Sequence, residues 1–391
     1  MISVNDAIKI IETNCKALST QKVDTVDSLG YTLSKSIISD LNFPPFDQSA
    51  MDGYALNFKE GANKYKIIGE VKAGDQDLNL KINPGEGVRI FTGAKIPSKC
   101  TTVIQQEWCI KNKTEIKFTQ KPINKINIRK KGEQIQKGDK ALKKEVNISP
   151  GLIGYLTGLG VEKVDVVMKP KIGIVITGNE LTELGEKLEE GKIYESNSYM
   201  LIAALKKYNY DSINLYRTID DYQKTKNKIN SAIIENDVVL ISGGISVGEY
   251  DFVEKSLINL NVKKHFYKVN QKPGKPLFYG SIEDKHIFGL PGNPGAALTC
   301  FYIYVLRLLS VLSAVKYPIK IKKVNLNSNY IKKSGRSEFL KVELKDNVAH
   351  ICDFQNSSML RAFENANALV YVDEKVESIN PHQELDAYLL L

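Results

Sequence analysis

Three carboxylates and three lysines carry most of the chemistry that residue type and spacing offer in this chain. Glu180, Asp220 and Asp251 each follow an apolar, β-branched run, and Lys268, Lys272 and Lys275 fall close together soon after the last of them. Several carboxylates at short range suit a hard cation such as magnesium, and magnesium usually implies phosphate. Each ammonium in turn neutralises an oxyanion without needing a planar partner. Residues 242–251, SGGISVGEYD, lie between the two sets, and Gly243, Gly244 and Gly248 free the backbone to turn tightly. Loop amides running into a helix that starts near Asp251 form an anion site. Each feature alone has a plainer explanation, since most glycine-containing turns bind nothing and a carboxylate after a strand commonly caps a helix. Three at equivalent strand ends are less easily dismissed.

The elements that must position these groups follow a repeating pattern. KIGIVITGNEL, from Lys171, is a strand into a turn, SNSYMLIAALKKY a helix, and INLYRTIDD a strand ending on two aspartates. Residues 237–242 make a third strand, and KHIFGLPGNPGAALTC a strand, a turn and a long helix. Strands separated by helical lengths predict a doubly wound parallel α/β sheet with helices on both faces, over residues 168–316. In such sheets ligands bind beyond the carboxyl ends of strands, so TGNE, IDD, SGGISVGEYD and LPGNPG should share one crevice. Upstream, Ser3 is placed to cap an amphipathic helix over 3–17, with Asp6 in its first turn. PPFDQSAMDGYALNF, residues 44–58, has no sustained period and the composition of a held loop. Short β-type runs between 65 and 129 predict a small β domain inserted over 49–136, and Ser149-Pro150 opens a helix through Leu159. Residues 1–48 and 137–167 then form a discontinuous, elongated N-terminal domain. Period-two runs after Pro318 predict a C-terminal β-barrel-like domain over 317–391.

Composition narrows the function classes. A chain of 391 residues exceeds one ordinary core and should be multidomain. Its 54 basic against 45 acidic residues give a net charge of +9, which suits anionic small molecules and is mild for a nucleic-acid binder. Five scattered cysteines without CxxC spacing support neither a disulfide framework nor a zinc site, and fit a reducing cytoplasm. The N-terminus lacks the basic-then-apolar order of a signal peptide. The long apolar stretch at 296–315 carries Arg307 near its centre and directly follows a turn, which predicts a buried helix and no membrane span. Neither GxxxxGKS/T nor a strand-borne GxGxxG is present, which disfavours a P-loop ATPase and a Rossmann dehydrogenase. None of the four histidines lies on a glycine-rich turn, and Trp108 reads as core or rim.

Taken together, the motifs closely resemble the molybdopterin molybdenumtransferases of molybdenum cofactor biosynthesis, a family that includes the E domain of gephyrin. They are PPFDQSAMDGYA, RIFTGAKIP, NIRKKGE, TGNEL, SGGISVGEYD, KPGKP and LPGNP, in the family's order and over nearly the whole chain. The glycine-loop and LPGNP pieces alone also resemble the molybdopterin adenylyltransferases, which correspond to the doubly wound domain only. The resemblance implies that adenylated molybdopterin is bound, molybdate is inserted into its dithiolene, and AMP is released with magnesium present. It assigns Asp52, Thr92, Glu180, Asp220, Asp251, Lys268 and Lys272 to catalysis, with Glu180, Asp220 and Asp251 assisting the metal. Ser242, Gly243, Gly244, Ser246 and Gly248, with Pro291, Gly292, Asn293 and Pro294, would line the ligand. Lys272, Lys275, Arg336 and Ser357 would hold molybdate.

The family further implies an elongated homodimer, in which the PPFDQSAMDGYA loop and Thr92 of one subunit complete the crevice of the other. A molybdopterin adenylyltransferase is the implied upstream partner. Three positions depart from the family pattern: Gln134 where an acid follows NIRxxGE, Gly295-Ala296 where a hydroxyl residue often follows PGNP, and Lys341 where an arginine often stands. None belongs to the core carboxylate and lysine set, so activity is expected to be retained. A gephyrin-like scaffold and a tungstate-preferring or adenylating relative are the alternatives, and the lack of an adenylyltransferase-type domain weighs against the scaffold.

Overall fold

The strands expected to carry the site are buried along their whole length: Ile172–Thr177 and Val238–Ser242 lie side by side at the centre of a six-stranded sheet. Ile213–Thr218 and Lys285–Leu290 flank them, all four parallel. The register sets Thr177 opposite Thr218, Ile176 opposite Ser242 and Ser242 opposite Leu290, so the four carboxyl ends emerge at one edge. Alternation then divides the strand side chains between two cores. Ile172, Ile174, Ile176, Val238 and Leu240 join one cluster, and Val175, Val239 and Ile241 the other. Helices Tyr222–Glu235 and Phe252–Asn259 contribute to the second cluster. Val4–Thr13, Asn197–Lys207 and the long helix from Pro294 to Leu312 pack against the first.

The computed structural model describes residues 1–76, 80–120, 122–245, 252–333, 335–381 and 383–390. The chain divides into two compact units: Met1–Val23 with Ser28–Thr32 and Asp165–Leu391, and Asp24–Asp27 with Leu33–Val164. In the first unit the parallel strands are extended by two antiparallel ones, Pro276–Ile282 and Lys263–Lys268. Residues 263–268, in sequence part of a basic loop, become an edge strand because a tight turn through Glu283, at φ 52°, folds Pro276–Ile282 back on Lys285–Leu290. So short a link cannot make a parallel crossover.

Ser3 does cap the first helix, its Oγ accepting from the Asp6 amide at 3.1 Å, but the helix stops at Thr13 with Asn14 at its C-cap rather than reaching residue 17. The helix Pro294–Leu312 is long and apolar enough to cross a membrane, yet 89% of its apolar 18-residue stretch is buried inside the protein. Its Arg307 binds Glu12 at 3.1 Å and stacks over Tyr317. A wide turn at Phe301–Val305 interrupts the α-helical ladder, and its Tyr304 is fully buried. The C-terminal strands close into a five-stranded barrel: Ser337–Lys345, Val348–Ile351, Ile321–Leu326, Leu385–Leu389 and Ala368–Val372, which returns to the first. Val324, Leu340, Val342, Val370 and Ala387 fill its interior.

The second unit is built on a six-stranded sheet. Its strand Gly53–Leu56 corrects the loop expected over 44–58: GYAL pairs with Glu86–Ile90 on one side and Thr102–Gln105 on the other. All four residues are buried, so neither face shows the alternation that would have revealed a strand. The helix Pro150–Gly158 starts as expected, with Ser149 Oγ accepting from the Leu152 amide at 3.4 Å.

Candidate active site

The strand ends of the first unit open into a cavity of about 820 Å³. Glu180, Ser242, Gly243 and Gly244, residues 291–294, the 272–276 loop, Arg336 and Ser357 all line it. Close packing makes glycine obligatory at the first turn: at φ +97°, a Cβ on Gly243 would sit 2.3 Å from the Thr177 carbonyl oxygen. Two side chains absent from the sequence expectations brace this lining. Asn197 donates to Ser242 Oγ at 2.8 Å and to the Gly292 carbonyl at 2.7 Å, joining the glycine loop to residues 291–294. Glu195 accepts from the Ser198 amide at 2.8 Å and from its hydroxyl, so its carboxylate secures the helix N-terminus.

The lysine loop is held from the core. Gln271, fully buried, donates to the Gly274 carbonyl at 3.1 Å and accepts from the Tyr304 hydroxyl, which the wide helical turn supplies. Burial pushes the Tyr304 hydroxyl far above its ordinary range, so it remains a donor at every working pH. Lys272 leans on the buried carboxylate of Glu338, Nζ to Oε1 at 3.5 Å, while the Tyr330 hydroxyl donates to the other oxygen. Gln271–Lys272 runs parallel to the barrel strand at Ser337 and Glu338, which sets this pairing. Lys275 and Arg336 have no carboxylate partner among the described residues, leaving both cations facing the cavity for an anion. Asn293 Nδ2 donates to Ser357 Oγ at 2.9 Å, which leaves the serine O–H to donate elsewhere.

Other expected residues are placed differently. Asp220 accepts from Thr177 Oγ1 at 2.6 Å and from the Asn179 amide at 3.1 Å, and its own amide donates to Asn179 Oδ1 at 3.1 Å. It braces the TGN turn and is not part of the cavity wall. Lys268 also lies off the wall, its ammonium over the Tyr267 ring. Ser246, Gly248 and Asp251 fall outside the described residues. Glu180 lines the cavity, and its carboxylate has no hydrogen-bond or ion-pair partner among the described residues. No group of three His, Cys, Asp or Glu residues comes together among them.

In the second unit, Asp52 and Thr92 form one device. Thr92 donates both its amide and its hydroxyl to Asp52 Oδ1, each at 2.7 Å. Those two bonds, with the charge of Arg89, hold the Asp52 carboxyl below its ordinary range. Asp47 is tied down too, by Lys130 Nζ and the Lys131 amide, both at 2.8 Å.

Residues 2–160 match the MoeA N-terminal region (domain I and II), 173–310 a probable molybdopterin binding domain and 323–390 the MoeA C-terminal region (domain IV). A molybdopterin molybdenumtransferase of Staphylococcus epidermidis is 30% identical over 383 residues, spanning 94% of this chain and 91% of the relative. The chain belongs to the molybdopterin molybdenumtransferase family. Another member, from Haemophilus influenzae, is 31% identical over 387 residues, spanning 94% of this chain and 93% of its own. The crystal structure of a molybdopterin biosynthesis MoeA protein from Pyrococcus horikoshii OT3 superposes with a TM-score of 0.80 at 28% identity, over 100% of both chains. Two positions that depart from the family pattern, Gly295 and Lys341, meet at the same segment. Both touch the loop that carries Ser357.

Proposed function

We propose that this chain is a molybdopterin molybdenumtransferase that inserts molybdate into the dithiolene of adenylated molybdopterin with release of AMP, a step of molybdenum cofactor biosynthesis. The observation that carries the reading is the cavity itself, which Lys272, Lys275, Arg336 and Ser357 all line, two of the cations having no carboxylate partner among the described residues. A tetrahedral oxyanion matches such a set of ammonium, guanidinium and hydroxyl donors. In the same cavity, the backbone at Ser242, Gly243 and Gly244 and residues 291–294 supply donors and room for a phosphate beside the helix that starts at Pro294. Glu338 and Tyr330 fix the Lys272 ammonium, and Gln271 and Tyr304 fix the loop that bears Lys275.

Magnesium belongs to this proposal. Glu180 is the described carboxylate free to take it, which fits an ion that relies on one or two carboxylates plus substrate phosphates and water. Bound there, the ion would offset phosphate charge. Asp220 serves by holding the TGN turn in place, and Asp251 and Lys268 are kept as catalytic candidates. The active form we propose is a homodimer, in which Asp52 and Thr92 of a second copy complete the cavity, with an adenylyltransferase supplying the substrate in the cytoplasm.

Purified protein given adenylated molybdopterin, molybdate and magnesium should release AMP and form active cofactor. Folded protein that releases no AMP with or without the ion would sink the proposal. Omitting magnesium tests the ion alone, and competition between molybdate and tungstate for AMP release tests the choice of oxyanion.

A further inference from the structure

Lys341 is 1% exposed, on a strand of the C-terminal barrel, and it lies outside the cavity wall. Its ammonium donates to three carbonyls, those of Phe354 at 2.8 Å, Asn356 at 3.1 Å and Met359 at 3.1 Å. An ammonium has three N–H donors, so the set is complete. The backbone around it is tied as well: the Lys341 amide donates to Gln355 Oε1 at 3.0 Å, and Gln355 Nε2 donates to the Lys341 carbonyl at 2.8 Å. All these groups belong to residues 354–359, a segment without regular structure. Left to itself, such a segment would sample many conformations.

The far side of the same segment reaches the cavity. The Ala296 amide donates to the Ser357 carbonyl at 3.0 Å and Asn293 to its hydroxyl at 2.9 Å. Ser357 is thus gripped between the start of the Pro294 helix and a turn in which the carbonyls of Phe354, Asn356 and Met359 converge on one buried cation.

We infer that Lys341 is the positioning residue for Ser357: by gathering the carbonyls of Phe354, Asn356 and Met359 it fixes the loop so that the serine hydroxyl meets the oxyanion. This deepens the reading of the cavity as a molybdate site and rests on it. The Phe363 ring, its centroid 5.6 Å from the ammonium, covers it on one side, and Lys341 is not among the residues that line the cavity.

The test is a double-mutant cycle read by equilibrium binding of molybdate and, separately, of AMP. Ser357→Ala should weaken molybdate about tenfold, the value of one hydrogen bond to a charged group. Lys341→Met should weaken molybdate by a similar factor while AMP binding stays within about twofold of wild type, and Lys341→Met/Ser357→Ala should lose nothing further. If Ser357→Ala leaves molybdate binding unchanged, the oxyanion reading of the cavity falls. If Ser357→Ala weakens it but folded Lys341→Met binds molybdate like wild type, or if the two losses multiply, the positioning role falls alone. Should Lys341→Met not fold, Lys341→Gln, which keeps two neutral donors on a shorter stem, enters the same cycle. Its loss must again vanish in the Ser357→Ala background, and a loss that persists there overturns the inference.

Discussion

Introducing a serine at Gly295, the first of the two positions, Gly295-Ala296, where the family often carries a hydroxyl residue after PGNP, should harm this protein even though it adds a donor near the oxyanion. A Cβ at that position would lie 2.8 Å from the Ser357 carbonyl oxygen and 3.3 Å from that of Met359. To reach the 3.4 Å of ordinary contact, the loop must retreat by about 0.6 Å. That would stretch the 3.0 Å bond from the Ala296 amide to the Ser357 carbonyl past hydrogen-bonding range. Overpacking a close-fitting site costs roughly 1–3 kcal/mol, and the lost bond about 1 kcal/mol more. Against this, replacing glycine inside a helix recovers about 0.5–1 kcal/mol. The clash wins, and Gly295→Ser should lose about 1–3 kcal/mol of stability and bind molybdate several-fold more weakly. Denaturant unfolding and calorimetric titration with molybdate measure the two effects. A Gly295→Ser protein as stable as wild type and tighter for molybdate would refute the reasoning, showing that the loop yields without cost.

Thr92→Val removes the side-chain donor to Asp52, so the Asp52 carboxyl should titrate closer to its ordinary value in an NMR pH titration. Because its folded pKa is depressed, its stabilising effect exists at neutral pH and is lost as pH falls through that folded value, below about 4; an unshifted titration in the variant would contradict the assignment. Burial lowers His286 from 6.5 to about 4, so between those values the unfolded chain takes up a proton that the folded one refuses. Stability should therefore drop with acidification across that window, by on the order of 3 kcal/mol, and His286→Gln should flatten the slope of denaturant midpoint against pH. Tyr304→Phe leaves the buried Gln271 oxygen without its donor and should cost about 1–3 kcal/mol in unfolding experiments, with lower affinity for molybdate. An unchanged stability there would mean that the wide helical turn does not anchor the lysine loop.

Much of the framework was legible in the sequence because it rests on local rules. The apolar, β-branched runs at 172–177 and 238–242, the glycines after them and the helix that begins at Pro294 all announce themselves through period and turn chemistry, and they predict a crevice at the strand ends. Lys272 and Lys275 could be named from charge and spacing, which survive in the linear chain, whereas Arg336 and Ser357 were named only through the family resemblance. The strand at 53–56 could not be read, because four residues covered on both faces leave no alternation. Nor could the antiparallel strand at 263–268, whose lysines look solvated until a tight turn brings Pro276–Ile282 alongside. Which carboxylate faces the cavity was equally hidden: Asp220 and Glu180 occupy equivalent strand ends, yet one is engaged by Thr177 and Asn179 while the other lines the cavity with no partner among the described residues.

The sequence alone determined the doubly wound sheet, its crevice and the stock of cations and carboxylates near it, because hydrophobic period and turn residues act over a few positions. Only the tertiary structure decided how those groups are held. Gln271 meets Tyr304 across 33 residues, Lys272 meets Glu338 across 66 and Asn293 meets Ser357 across 64. Such pairings depend on the register between sheet, helix and barrel. Lys341 shows the difference most clearly: in the chain it is a polar position on an alternating strand, and in the fold it is a buried cation around which a binding loop closes.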